Sequence, residues 1–267
     1  MKKIIFIIFI ILVLIFLYGR YIEPTKLNVK QYVINTDKIS ESFKDIKIVH
    51  FSDLLYKREK DNLNKLKDLI NKEEADIIVF TGDLFDSNTS YFEEDYNDLK
   101  EFLTSLNANF YKYAVYGEED EKYLDKFKDI MYDSNFVILD NTSTLFFYKD
   151  VTPINIIGIT NIDTDINSLL QSDIEYNYSL VIMHKPDYVD NLKEYNVDTV
   201  LSGHSLGGII NIPYYGGLIK MNGSNTYVNG NYKIDNTELF VNNGIGYKLF
   251  LFRLFNTPSI SVYRFNN

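Results

Sequence analysis

The chain has 267 residues, 46% of them hydrophobic, which suffices to bury one substantial core without requiring a second domain. Its formal net charge of -10 argues against a nucleic-acid partner, because the surface as a whole repels phosphate backbones. The absence of cysteine excludes disulfides, a thiolate nucleophile and sulfur ligands. Any metal ion must therefore be held by His, Asp, Glu or Asn.

The first predicted element is an apolar helix. Lys2 and Lys3 precede an unbroken apolar run over 4–18, whose length lies between that of a signal-peptide core and a full membrane span. No small-residue cleavage site follows, so residues 1–22 are predicted to be an uncleaved membrane anchor in contact with lipid. A buried core helix is disfavoured because no face is polar. The two lysines place the remaining chain outside the cytoplasm of a single-pass membrane protein.

Strand and helix patterns alternate after the anchor. Residues 23–44 are predicted to be a linker with an edge strand at 27–34, and residues 45–267 a single domain. Its first half has strand patterns at 45–51, 77–80, 109–116 and 135–140, and helical patterns at 59–71, 93–106 and 122–131. This alternation indicates an α/β sheet.

The second half of the domain has shorter strands and more turns. Strand patterns occur at 154–159, 179–184, 197–204, 237–243 and 259–265. They favour a second sheet packed on the first. The predicted fold class is α/β, a four-layer α-β-β-α sandwich of two mixed sheets behind an N-terminal transmembrane helix.

Polar clusters follow several of the predicted strands. They are Ser52-Asp53-Leu54-Leu55, Gly82-Asp83-Leu84-Phe85-Asp86, Gly117-Glu118-Glu119-Asp120, His184 alone, and Gly203-His204-Ser205-Leu206-Gly207-Gly208. The carboxyl ends of strands in an open α/β sheet converge on one crevice, where ligands bind. We therefore expect these acidic and histidine side chains to meet in one place.

The order and spacing of the clusters resemble the calcineurin-like metallophosphoesterases, in particular their small membrane-anchored bacterial branch, over residues 27–265. That family's pattern runs D-x-H, GDxxD, GN-H-D, a lone His and GH-x-H, and supplies seven ligands to two metal ions. The resemblance implies metal-ligand roles for Asp53, Asp83, His184 and His204. It also implies the fold predicted above.

This sequence departs from the family's pattern at both histidines of one metal position. Leu55 and Leu206 stand in their places, which leaves Asp53 and Asp83 and predicts an empty or very weak position. The other position keeps Asp83 and both histidines, with Glu118 in place of Asn. The resemblance thus implies one divalent ion, Mn, Fe or Zn, or none.

The proton-transfer part of the family's site is also altered. Glu119 replaces the family's His, with Asp120 behind it, and the two are the candidate catalytic residues. The carboxylates around the site are Asp53, Asp83, Glu118 and Glu119. They total about -4 when ionised, so one divalent ion leaves about -2 facing an anionic phosphate. This count argues against easy catalysis.

Two functions follow from the altered site. The favoured one is a weakened single-metal site with low or lost phosphohydrolase activity, kept for binding or scaffolding. The alternative is an active metal-dependent phosphoesterase or pyrophosphatase that acts on a lipid or cell-envelope phosphate. In either case the partner would be a phosphorylated small molecule or lipid.

Structural roles remain open for several of these residues. The aspartates at strand ends are compatible with loop caps, and His184 with a hydrogen-bonded core histidine. His50 precedes Asp53 by three positions, and this odd separation puts the two side chains on opposite faces of a strand. The sequence therefore predicts a structural role for His50. Arg253 is predicted to form a fold-stabilising ion pair rather than to contact phosphate.

Overall fold

The computed structural model describes residues 1–248 and 250–266, which form five α-helices and fourteen strands. The helices are α1 Lys2–Tyr21, α2 Lys60–Lys72, α3 Glu93–Thr104, α4 Leu124–Asp133 and α5 Ile166–Leu170. The strands are β1 Asn28–Asn35, β2 Lys47–Phe51, β3 Ala75–Phe80, β4 Ala108–Ala114, β5 Phe136–Ile138, β6 Thr142–Phe146, β7 Ile154–Ile159, β8 Tyr178–Met183, β9 Thr199–Ser202, β10 Asn211–Ile212, β11 Gly216–Gly217, β12 Gly230–Ile234, β13 Thr237–Val241 and β14 Ser259–Asn266.

The first sheet has the order β1-β14-β2-β3-β4-β5. Strands β2 to β5 are parallel, whereas β14 runs antiparallel to β2. Helices α2, α3 and α4 cover its outer face, because each turns an apolar stripe inward, as α2 does with Leu63, Leu66 and Ile70. Strand β1 lies at the edge of this sheet and pairs with β14 along its full length.

The second sheet has the order β12-β13-β9-β8-β7-β6. Strands β13, β9, β8 and β7 are parallel, with β12 and β6 antiparallel at the edges. All six residues of β7 and of β8 are buried, as expected for parallel strands covered on both faces. Helix α5 and a 3₁₀ turn at Pro186–Leu192 pack against its outer face.

The two sheets pack face to face around a shared apolar core. Ile48 and Val79 of the first sheet meet Ile156, Leu180 and Leu201 of the second. The predicted sandwich of two mixed sheets with helices outside is therefore confirmed. Strands β6 and β12 were not predicted, and the two-residue strands β10 and β11 are too short for any periodicity to mark them.

Helix α1 projects away from the sandwich. Its residues 2–17 are exposed, and it is long and apolar enough to cross a membrane, a property that signal sequences share. Its last turns contact the domain, with Gly19 buried. Twenty residues give a helix about 30 Å long, which matches the hydrocarbon thickness of a bilayer.

Candidate metal centre

Three of the expected ligand residues lie on strained loops at the carboxyl ends of strands. Asp53 follows β2, Asp83 follows β3 and His204 follows β9, with φ angles of 52°, 59° and 66°. A left-handed backbone at a non-glycine residue costs about 1–3 kcal/mol and persists where the surrounding structure fixes it, often at functional sites. The sequence-based expectation that these loops meet is confirmed.

The two histidines face each other across the site. His184 donates from Nδ1 to the Thr81 carbonyl at 2.7 Å, and His204 donates from Nε2 to the Asn222 carbonyl at 2.8 Å. Their other nitrogens, His184 Nε2 and His204 Nδ1, are 3.1 Å apart, and Asp83 Oδ2 is 3.2 Å from the former. Two lone pairs and a carboxylate oxygen so placed require a proton or a metal ion between them.

The protonation pattern of the protein without metal agrees with that requirement. Burial lowers the pKa of His184, but the Asp83 carboxylate outweighs it and raises the pKa to about 9. Burial and the charged His184 lower the pKa of His204 to about 4. The pair thus holds one proton, in the position that a metal ion would take.

The carboxylate oxygens also fit a cation. Asp83 Oδ1 accepts a hydrogen bond from the Glu119 amide at 3.0 Å, which leaves Oδ2 directed at the histidines. Asp53 Oδ2 accepts one from the His204 amide at 2.9 Å, whereas its buried Oδ1 has no partner among the described residues. Burial raises the pKa of Asp53 to about 6. Buried oxygens without donors are atypical unless an ion or water completes them.

Asp83, His184 and His204 form the best candidate ligand set. One atom from each lies within 4.8 Å of the other two, and all three residues are buried. Carbonyl-bound imidazoles of this kind are typical of metal-ligating histidines. The residues present therefore fit one divalent ion, with the assignment of each ligand standing as a proposal.

The other side of the site is apolar. Leu55 and Leu206 are buried, and both have left-handed backbone conformations. Behind them Arg253 is fully buried and donates to the carbonyls of Leu206 at 2.6 Å, Asn243 at 2.8 Å and Gly246 at 2.6 Å. The predicted ion pair of Arg253 is therefore wrong, because backbone carbonyls accept the hydrogen bonds of its guanidinium. Burial lowers the pKa of Arg253 to about 10.

Two lysines that the sequence analysis missed lie at the mouth of the site. Lys185 Nζ is 2.6 Å from Glu118 Oε2, and Lys248 Nζ is 3.4 Å from Glu118 Oε1. Glu118 Oε1 is 4.0 Å from His204 Nδ1, so Glu118 lies at the margin of the ligand set. Lys185 directly follows a candidate ligand in the sequence, which is a usable signal, but Lys248 lies in a loop without any motif.

These lysines change the charge of the site. Burial would lower the pKa of Lys248, but Asp83 and Glu119 outweigh it and raise the pKa, so the ammonium is charged at neutral pH. With both lysines and one divalent ion, the charge of the site with its four carboxylates is about 0 in place of about -2. The charge count made from the motif residues, which argued against easy catalysis, therefore left out two cations of the site.

The two candidate catalytic residues have different surroundings. Glu119 Oε2 accepts hydrogen bonds from the Ser87 amide at 2.9 Å and hydroxyl at 2.5 Å, and Oε1 is 3.0 Å from Lys248 Nζ. Asp120 is fully buried and accepts from the amides of Asp83, Phe85 and Gly117. Asp120 therefore stabilises the loops of the metal site through these hydrogen bonds. Glu119 lies at the mouth of the site, beside Lys248.

His50 lies outside the site, as predicted. Its Nδ1 is 3.1 Å from the Tyr263 hydroxyl and its Nε2 is 2.8 Å from the Thr81 hydroxyl. Burial lowers its pKa to about 3, so the ring is neutral. The predicted structural role is consistent with this environment.

Comparisons with known proteins agree with the site. Residues 46–208 match the family model described as calcineurin-like phosphoesterase. The uncharacterized metallophosphoesterase YkuE of Bacillus subtilis is 30% identical over 92% of this chain and 88% of its own length. The UDP-2,3-diacylglucosamine pyrophosphatase LpxG of Chlamydia muridarum is 24% identical over 94% of this chain and 93% of its own length.

Proposed function

The chain belongs to the calcineurin-like phosphoesterase family, and we propose that it is a membrane-anchored phosphoesterase or pyrophosphatase with one strong metal position. The observation that carries this proposal is the geometry of Asp83, His184 and His204. One nitrogen of each histidine and one oxygen of Asp83 lie so close together that a proton or a metal ion must lie between them. Metal ions of this family are divalent, and this donor set suits Mn, Fe or Zn.

The lysines supply the positive charge that a second ion would otherwise give. Lys248 is positioned by Glu119, whose other oxygen is held by Ser87, and its ammonium can donate hydrogen bonds to phosphate oxygens. Lys185 extends this cationic edge beside Glu118. A bound divalent ion supplies Lewis-acid polarisation of the phosphate and a water of lowered pKa.

The proposed substrate is a phosphate ester or pyrophosphate carried by a lipid or another cell-envelope molecule. Two observations support this class: the apolar helix α1 at the N-terminus, and the name of LpxG, a pyrophosphatase for a diacylated sugar nucleotide. We propose that α1 is an uncleaved anchor and that the domain is extracytoplasmic. Protein-terminal sequencing of the membrane fraction tests the anchor, since a mature chain beginning near Pro24 would contradict it.

The experiment uses the full chain in lipid nanodiscs, supplied with Mn, Zn, Fe or Mg in turn. Release of product is measured from an aryl phosphate, a bis-aryl phosphate and a diacylated sugar-nucleotide pyrophosphate. We expect metal-dependent hydrolysis that is lost in Asp83→Asn and His204→Gln. His50→Gln, which alters another buried histidine, is the matched control and should keep activity. No metal-dependent release from any substrate would overturn the proposal.

A second candidate function is phosphate binding without turnover, as the sequence analysis favoured. The observations that favour it are that Leu55 and Leu206, which stand where the family has ligating histidines, are buried, and that both oxygens of Glu119 are engaged. Under this function the same protein would bind a phosphorylated lipid with a metal-dependent affinity and release no product. The assay above, combined with binding to substrate-doped nanodiscs, separates the two.

A further inference from the structure

An exposed apolar surface adjoins the last turns of α1. Residues 209–219, which contain the β10–β11 hairpin, and residues 250–255 form it, and we call it the collar. Its exposed side chains are Ile212, Tyr214, Tyr215, Leu218, Ile219, Phe250 and Phe255. Single exposed apolar residues are ordinary, but a concentration of this kind marks an interaction surface.

Hydrogen bonds join the two parts of the collar. The Asn211 amide donates to the Leu254 carbonyl at 2.9 Å, and the Leu254 amide donates to the Ile209 carbonyl at 3.1 Å. Ile210 and Leu254 form a parallel bridge. The hairpin is therefore held against residues 250–255 by its backbone.

The collar is also fixed to α1. The ring of Phe252 lies 5.7 Å from that of Phe16, and the Arg253 amide donates to the Gly19 carbonyl at 3.0 Å. A Cβ at Gly19 would lie 2.9 Å from the Phe252 ring, so glycine permits this close approach. Just beyond the helix, the buried Glu23 carboxylate accepts from the Phe255 amide at 2.8 Å.

These contacts set the depth of the collar when α1 spans a bilayer. Phe16 precedes the helix end at Tyr21 by five residues, which is about 8 Å along the axis. Interfacial apolar segments bury about 5–10 Å into the boundary between headgroups and acyl chains. Because residues 250–255 contact α1 as far along the helix as Phe16, they lie in this boundary region.

We propose that the collar inserts into the membrane interface beside α1, an inference that rests on the proposed membrane anchorage. The bilayer is the occupant that fits, because the surface is continuous with the exposed apolar face of the anchor. Tyrosine and phenylalanine suit this environment, as aromatic rings do at membrane boundaries. The only charged residue of the collar, Arg253, is buried, so the exposed part of the collar is uncharged and its insertion is apolar and insensitive to salt.

The collar is connected to the metal centre. The 3₁₀ turn Leu206–Gly208 leads directly into the hairpin, and Arg253 of the collar donates to the Leu206 carbonyl. Insertion of the collar therefore holds the leucine side of the site near the lipid surface. A substrate whose acyl chains stay in the bilayer would present its phosphate to the site from that side.

The chain contains no tryptophan, so a single introduced tryptophan reports on its own surroundings. Tyr215→Trp and Phe250→Trp place one in each part of the collar, in the full chain in nanodiscs made with acyl-brominated lipids. Tyr132→Trp is the matched control, because Tyr132 is 80% exposed against 78% for Tyr215 and lies at the opposite ends of the strands. Leu12→Trp reports on the anchor itself.

We expect both collar variants to lose about half or more of their fluorescence to brominated lipid, in low and in high salt, while the Tyr132→Trp signal is unchanged. Quenching of Leu12→Trp with no quenching of the collar overturns the collar proposal and leaves the anchor intact. No quenching of Leu12→Trp overturns both. Collar tryptophans shielded from acrylamide yet unquenched by lipid would mean that a second copy of the chain covers the surface, which also contradicts the proposal.

Discussion

Removing the Lys248 ammonium tests the charge balance of the site. Its Nζ is 3.0 Å from Glu119 Oε1 and 3.4 Å from Glu118 Oε1, and Lys185 remains beside Glu118 when Lys248 is replaced. Lys248→Met keeps the length of the aliphatic stem and removes the ammonium, with its charge and its hydrogen-bond donors. The total charge with one divalent ion then changes from about 0 to about -1.

The magnitude follows from the hydrogen bond that we propose the ammonium makes to the phosphate of the substrate. Such a bond to a charged group contributes about 1.5–3 kcal/mol, and each 1.36 kcal/mol is tenfold in rate, so kcat/KM should fall about 10- to 100-fold. The side chain of Lys248 is partly exposed, which screens longer-range effects and keeps the loss within this range. Lys248→Arg retains the charge and should lose much less.

The assay measures kcat and KM on a bis-aryl phosphate with metal in excess. Lys100→Met is the control, because Lys100 is a lysine paired with Asp133 far from the site. Metal content is measured on the same samples, since the ligand set should be unaffected. An unchanged kcat/KM in Lys248→Met would refute the idea that this lysine offsets the carboxylates.

Three further predictions concern stability and metal binding. Glu23→Ala leaves the amides of Phe255 and Asn256 without their acceptor and should lower the free energy of unfolding by about 2–4 kcal/mol, seen as a lower Tm, with Glu23→Gln intermediate. His50 binds protons more weakly in the folded chain than in the unfolded chain, so stability should fall as pH drops from about 6.5 towards 3, and His50→Gln should flatten that slope by up to about 1.4 kcal/mol per pH unit in denaturant titrations. Leu55→His with Leu206→His should destabilise the metal-free protein, regain about 2.7 kcal/mol at Mn concentrations of about 100 times Kd, and raise metal content from one ion to two. Equal melting curves with and without Mn would contradict the last prediction.

The sequence predicted the fold well because strong periodicity marks the buried elements. The patterns of β7 and β8 are mostly apolar and rich in β-branched residues, and α2 has leucines at helical spacing, so packing and local preference agree. The hairpin of β10 and β11 was missed because its short strands owe their geometry to residues 250–255, which are distant in sequence. No local pattern records such a contact.

The candidate site was predictable where it follows strand ends and unpredictable where it depends on loop packing. The positions of Asp53, Asp83 and His204 follow from the strands that precede them. Lys248 lies beside the carboxylates, and Arg253 among backbone carbonyls, because of the path of a loop that carries no motif. The charge count made from motif residues alone was therefore incomplete.

Elemental analysis of the purified full chain, after incubation with excess Mn or Zn and removal of free metal, tests the central claim most directly. The ligand set of Asp83, His184 and His204 predicts one ion per chain, and none in His204→Gln. The buried leucines predict that no second ion is retained. Two tightly held ions in the wild-type chain, or one ion that remains in His204→Gln, would contradict the account.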